Sequence, residues 1–265
     1  MLKLGDVPFL NSKPLFYPIE HGLVDSDIEI VSYPPNILSK QLYERKIDLG
    51  LIPVAELLTR GSYKIVPDIS ISSFGKVDSV ILISNKELKD IKTVALDKRS
   101  QSSSNLIRVI FNNFLEMTPE FIIRDYDDRF LVNVDAGMII GDAGLKFLYT
   151  NNKSFEIYDL GELWTDFTGL PFVYAVLAVN EGVDLGDELD TLTRSKKVGA
   201  GLINEICDKE SIKIGISKDL CVNYVSNRIH YDLDEEEVKG ILEFAGCLNK
   251  IGIKTGLDKL EFYKK

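Results

Sequence analysis

At 265 residues, with 45% hydrophobic and 27% charged side chains, the chain has length for one large or two medium domains and apolar content for a substantial core. A formal net charge of −10 argues against a nucleic-acid binder, which would carry a basic stripe, but leaves room for a small anion held in a cleft by backbone N–H groups and hydroxyls. Cys207, Cys221 and Cys247 stand far apart with no C-x-x-C, so neither a disulfide framework nor a zinc site is expected. With no signal-peptide pattern and no apolar run of about 18 residues, the expectation is a cytoplasmic protein without a membrane segment.

LKLGDVPFL reads as a first strand and IEIVSY as a second, stopped by Pro34-Pro35. Asn36 can cap a helix to about Lys46, with Leu38 and Leu42 on one face. IDLGLIPV is strand-like and leads into a short helix ending at Gly61. Beyond YKIVPDISISSFG come the strand-like VDSVILIS and KTVALD, then the polar run KRSQSSSN. A helix follows to about Leu115, with Leu106, Ile107, Ile110, Phe111 and Phe114 at the 3.6-residue period. AGMII is a further strand, ending at Gly141-Asp142, with the helix-like AGLKFLY behind it. LGELWTDFTGLPFV, which carries the only tryptophan, Trp164, reads as a loop feeding the strand FVYAVLAV. The remaining third is helical. Its clearest helix has Asp234 as cap, glutamates in the first turn, and Val238, Ile241, Leu242, Ala245 and Leu248 on one stripe. Strands alternate with helices in both halves without a Pro/Gly/Ser linker, which predicts an α/β fold of two lobes with crossing strands at VDSVILIS and FVYAVLAV.

Small polar residues repeatedly follow buried strands: Asn11-Ser12, Ser72-Ser73, the SQSSSN run, Gly141-Asp142 and Thr168-Gly169. In parallel sheets such ends gather at the mouth of a cleft. Each also has a plain structural reading. Asn11-Ser12 could cap a helix whose first turn holds Pro14, and Asp142 could cap the helix it opens rather than meet a ligand hydroxyl. Ser100 to Ser104 could be one N-cap with solvated neighbours, or a set of N–H groups and hydroxyls aimed at a carboxylate or phosphate. No nucleotide-binding glycine loop and no nucleophile elbow occurs, and His21 and His230 alone make a metal site or a Ser-His-Asp triad improbable.

FLNSKPL, IDLGLIPVAELL, YKIVPDISISSFGKVDSV, LDKRSQSSSNLIRVI, IIGDAGL, YDLGELWTDFTGLPFVYAV and IHYDLDEEEVKGILEFA occur in that order. Together they resemble the chorismate dehydratase family of the futalosine route to menaquinone, over about residues 2 to 250. The resemblance implies a two-lobed fold like that of a type II periplasmic binding protein, with the ligand cleft between lobes 1–79 plus 175–265 and 80–174. One departure matters: where the family's serine-rich segment reads S-R-T-S, this chain has Ser100-Gln101-Ser102-Ser103, with Lys98 and Arg99 standing just before it.

The reaction so implied removes the ring hydroxyl of chorismate and the hydrogen on the ether-bearing carbon, leaving 3-[(1-carboxyvinyl)oxy]benzoate. It calls for neither a cofactor nor a metal. In this reading Asn11 and Asp142 are the catalytic candidates. Ser102 and Ser103 take a substrate carboxylate, Ser12, Ser73 and Ser79 orient ring and hydroxyl, and Thr168 and Gly169 line the cleft. No histidine fits as general base, and the substrate's own enolpyruvyl carboxylate is a candidate for that part. Two alternatives stand beside it: a 1,4-dihydroxy-6-naphthoate synthase of the same fold acting on a cyclic futalosine, and a non-catalytic receptor for a small anion.

Overall fold

The computed structural model describes residues 1–60, 63–127, 129–151, 154–256 and 260–264. Strand β1 (Leu2–Asp6) passes through a 3-10 turn at Leu10–Ser12 into α1 (Lys13–Glu20), β2 (Ile28–Ser32) into α2 (Pro35–Tyr43), and β3 (Leu49–Pro53) into α3 (Val54–Arg60). The glycine expected to end α3, Gly61, lies outside the described residues. β4 (Tyr63–Ser73) follows, then β5 (Val80–Ser84), β6 (Thr93–Asp97) and α4 (Gln101–Val109), which a π turn prolongs over Ile110–Phe114. Next come β7 (Glu120–Arg124), β8 (Ala136–Ile140), α5 (Gly141–Thr150), β9 (Glu156–Asp159) and α6 (Leu160–Thr168). β10 (Phe172–Asn180) is followed by α7 (Glu188–Gly201), α8 (Ile203–Ile214), α9 (Lys218–Asn223), a π turn at Tyr224–Arg228, and α10 (Glu235–Lys250).

The described strands form two five-stranded sheets, in the orders β2-β1-β3-β10-β4 and β7-β6-β8-β5-β9. Both are mixed: β1, β2 and β3 are parallel, as are β6, β7 and β8, while β10 and β5 run antiparallel to their neighbours. The reason is topological. The parallel strands end at the edge where the two sheets face each other. A chain arriving from the other sheet enters at that edge and must run away from it. β5 arrives that way through residues 74–79, and β10 through α6 and residues 169–171. These are the two strands singled out as crossing strands in the sequence; each pairs within a single sheet and begins at the junction. Strands β3, β5 and β8 are buried along their whole length, which explains their unbroken apolar sequence.

One expectation is corrected, and one element was not foreseen. LGELWTDFT is a helix, not a loop: the Asp159 carboxylate accepts the N–H groups of Gly161 and Glu162 as N-cap, and Gly169 at φ 69° ends it. The inward face of α6 carries Trp164, fully buried and edge-on to Phe114, Phe172 and Phe244, with its indole N–H donating to the Pro171 carbonyl at 3.1 Å. The strand EFIIR, β7, was not anticipated. It is a sheet edge that leaves Ile123 exposed, so its sequence lacks the clean alternation of a half-buried strand.

Candidate active site

A cavity lies where the strand ends of the two sheets meet, with about 600 Å³ of empty space out to its mouth. The first sheet contributes Val7, Phe9 and Asn11 beyond β1, Leu51 and Pro53 of β3, and Tyr174 of β10. The second contributes Ser100, Ser102 and Ser103 beyond β6, Ile140 at the end of β8 and Gly141 after it, with Val77 and Ser79 on the crossing segment and Ile229 after the second π turn. The walls are mostly apolar, and among the described residues no Lys, Arg or His side chain lines them.

The polar groups are placed by short-range bonds. Asn11 sits in the 3-10 turn with its side-chain oxygen buried and unpartnered. The neighbouring Ser12 turns the other way. Its hydroxyl donates to the carbonyls of Val7 and Phe9 at 3.0 and 3.1 Å, so it shapes the loop and does not line the cavity. Ser100 is the N-cap of α4, accepting the Ser103 N–H at 3.2 Å, while the next turn brings Ser102 and Ser103 to the cavity. The cap reading of this run holds for Ser100, and Ser102 and Ser103 stand on the cavity wall. Ser102 Oγ also accepts the Ala55 N–H of α3 at 3.2 Å, a bond between the two sheets' helices.

Ser79 Oγ accepts the Tyr224 hydroxyl at 2.8 Å. Ser73 stands behind Tyr174, with 3.1 Å between their hydroxyls, and is not part of the wall. Burial holds the Tyr174 and Tyr224 phenols well above their ordinary pKa, so both remain protonated. Gly144 of α5 makes room for the Ser79 backbone: a Cβ there would fall 2.5 Å from the Ser79 carbonyl oxygen.

Asp142, expected to meet a ligand hydroxyl or take a proton, is turned toward the β1 loop. Its Oδ1 accepts the Leu10 N–H at 3.0 Å, tying the start of α5 to the turn that carries Asn11, and it does not line the cavity. Burial pushes its pKa up to about 6, opposed by the Leu10 N–H. Thr168 and Gly169 are likewise not brought to the cavity, because they form the C-terminal end of α6. Thr168 Oγ1 donates to the Trp164 carbonyl at 2.8 Å and accepts the Leu170 N–H at 3.2 Å. The basic residues before the serine run do not replace the absent arginine. Arg99 grips the buried Asp97 carboxylate, with Nη2 at 2.5 Å, and Lys98 pairs with Asp125.

Sequence reasoning missed Tyr174 and Phe9 as wall residues, and Tyr224 behind Ser79. The one available signal was Tyr174 itself, a hydroxyl-bearing side chain within the otherwise apolar strand FVYAVLAV.

A model of the family described as "Menaquinone biosynthesis" matches residues 2–250. The chain belongs to the menaquinone-biosynthesis family. Chorismate dehydratase of Thermus thermophilus is 26% identical over 247 residues, covering 87% of this chain and 90% of that protein. Chorismate dehydratase of Campylobacter jejuni is 30% identical over 176 residues, 64% of each. The 1,4-dihydroxy-6-naphthoate synthase of T. thermophilus is 24% identical over 200 residues, 71% of this chain and 68% of its own. Among solved structures, protein AF1704 of Archaeoglobus fulgidus superposes with a TM-score of 0.76 at 16% identity, covering 95% of this chain and 98% of its own. The periplasmic aliphatic sulphonate binding protein SsuA of Escherichia coli does so with 0.65 at 16% identity, covering 100% and 94%. The fold is thus that of the periplasmic binding proteins. No helix among the described residues is long and apolar enough to cross a membrane.

Proposed function

We propose that the protein is a chorismate dehydratase, a hydro-lyase acting in the cytoplasm that converts chorismate to 3-[(1-carboxyvinyl)oxy]benzoate. The observation that carries the reading is the hydrogen-bond polarity of the cavity. Ser79, Ser100 and Ser102 each already accept a bond from the protein, and among the described residues none of their protons goes to a protein acceptor. Such hydroxyls have donors to offer, as have the first-turn N–H groups of α4. An uncharged, donor-lined, largely apolar chamber suits a flat ring bearing carboxylates. The two lobes would be 1–79 plus 175–265 and 80–174, closing over the substrate.

In this reading Ser102, Ser103 and the α4 N-terminus hold the ring carboxylate, while Asn11 and Ser79 meet the ring hydroxyl. The hydrogen on the ether-bearing carbon is vinylogous to the ring carboxylate, so donors on that carboxylate stabilise the charge that develops as the proton leaves. The substrate's enolpyruvyl carboxylate takes this proton. The C–H electron pair becomes a ring double bond and the C–O bond breaks with its own pair. The departing hydroxide recovers the proton and leaves as water, so atoms and charge balance. Orientation and exclusion of water carry the catalysis, effects that reach about 7–11 kcal/mol.

The longer alignment with the Thermus dehydratase than with the Thermus synthase supports this substrate. The test is incubation of the purified protein with chorismate, followed by chromatography and mass spectrometry. A product lighter by one water, lost in Asn11→Ala, supports the dehydratase. Binding without product would leave a receptor. Neither binding nor product would overturn the reading and point to the cyclic futalosine compound.

A further inference from the structure

We propose that Tyr224 is a positioning residue for the reaction: its hydroxyl fixes the Ser79 hydroxyl so that the serine proton is presented to the ring hydroxyl that leaves. This deepens the dehydratase reading and rests on it.

Tyr224 opens the π turn Tyr224–Arg228, is fully buried, and does not itself line the cavity. A phenol has one proton, and here it goes to Ser79 Oγ at 2.8 Å. With a lone pair of Ser79 engaged on that side, its own proton is turned away from Tyr224 and toward the chamber that Ser79 lines.

The surrounding bonds hold the serine where this matters. The Asp159 carboxylate accepts the N–H groups of Val77 at 3.1 Å and Asp78 at 2.6 Å. Asp78, at φ 61°, is in the left-handed region that costs a non-glycine residue about 1 kcal/mol or more. Its carboxylate receives Arg228 Nε at 2.7 Å and the Tyr149 hydroxyl at 2.9 Å. Tyr224 and Arg228, the two ends of one π turn, thus grip adjacent residues of the crossing segment, one through the side chain of Ser79 and the other through that of Asp78. Packing alone does not call for the phenol, since a phenylalanine would fill the same space without burying a hydroxyl.

Hydroxide is a poor leaving group, and a donor to it is worth most as the C–O bond breaks. A bond that strengthens in the transition state acts on kcat more than on KM.

The experiment measures kcat and KM for chorismate in four proteins: wild type, Tyr224→Phe, Ser79→Ala and the double variant. Tyr224→Phe is expected to lower kcat about tenfold, the size of one lost hydrogen bond, with KM held within about threefold. In the Ser79→Ala background the same substitution is expected to change kcat by less than about twofold, because Tyr224 acts through Ser79. An unchanged kcat in Tyr224→Phe, or an equal loss in both backgrounds, would overturn the proposal. A wild-type protein that forms no product would sink the dehydratase reading separately. The four proteins would then be compared by calorimetric affinity for 4-hydroxybenzoate, whose hydroxyl stands para to the carboxylate as the departing hydroxyl of chorismate does. A Tyr224→Phe loss that vanishes without Ser79 supports the positioning role, and equal losses or none refute it.

Discussion

Asp142→Asn separates a positioning carboxylate from a catalytic one, because asparagine keeps the oxygen that accepts the Leu10 N–H and removes only the charge. Burial raises the folded-state pKa of Asp142 from 3.8 to about 6, so folding disfavours its ionised form. Below pH 3.8 the group is protonated whether folded or unfolded, and the stability tied to protonation is fully present. That stability is lost as pH rises through about 6. The shift corresponds to at most about 3 kcal/mol, less if the lobes open and rehydrate the carboxylate before the chain unfolds. Asp142→Asn should therefore match the wild type near pH 4 and exceed it by up to about 3 kcal/mol near pH 7 to 8. Asp6 and Glu237, both raised to about 7 by burial, titrate in both proteins and cancel in the difference. Urea denaturation at a series of pH values reads this, and turnover of chorismate is measured on the same samples. Turnover within about threefold of wild type is expected, since Asn11 stays in place. Asp142→Ala, which strands the Leu10 N–H, should instead lose about 1–3 kcal/mol of stability relative to Asp142→Asn and disturb turnover with it. A fall of several orders of magnitude in Asp142→Asn, with substrate binding intact, would refute the reasoning and make Asp142 the base.

Two further outcomes follow from the same geometry. Arg99→Gln should leave KM for chorismate within about threefold while lowering stability by about 3 kcal/mol, because it strips a buried carboxylate of its partner and touches no cavity wall; a tenfold rise in KM at unchanged stability would contradict this. Gly141→Ala should cost about 1–3 kcal/mol and reduce turnover, since Gly141 has φ 61° and a Cβ would meet the Phe9 ring at 3.0 Å, pressing on the loop that carries Asn11. Thermal unfolding and kcat together check it, and a stable, fully active variant would count against the close packing described.

Much of this was legible from local chemistry. The strands β3, β5 and β8 announced themselves as unbroken apolar runs because both faces are covered, and α10 did so through Asp234 and the glutamates behind it. Helix α6 was missed because its cap, Asp159, also answers to the N–H groups of Val77 and Asp78, far away in sequence, and its fully buried side chains are only Leu160 and Trp164. The serine run after β6 and Asn11 after β1 could be recognised as strand-end polar residues that reach a cleft. Which neighbour lines the cavity could not. Ser12, Asp142, Thr168 and Gly169 have the residue types of a binding site, yet their hydrogen-bonding capacity or backbone is used by the fold itself.

The amino-acid sequence alone determined the α/β alternation, the two crossings and the polar strand ends, because each depends on periodicity and on a few adjacent residues. Only the tertiary structure decided which hydroxyl protons remain to be given. That depends on acceptors and donors such as Ala55 and Tyr224, which lie 47 and 145 residues from the serines they engage, and no local pattern encodes a bond across that distance.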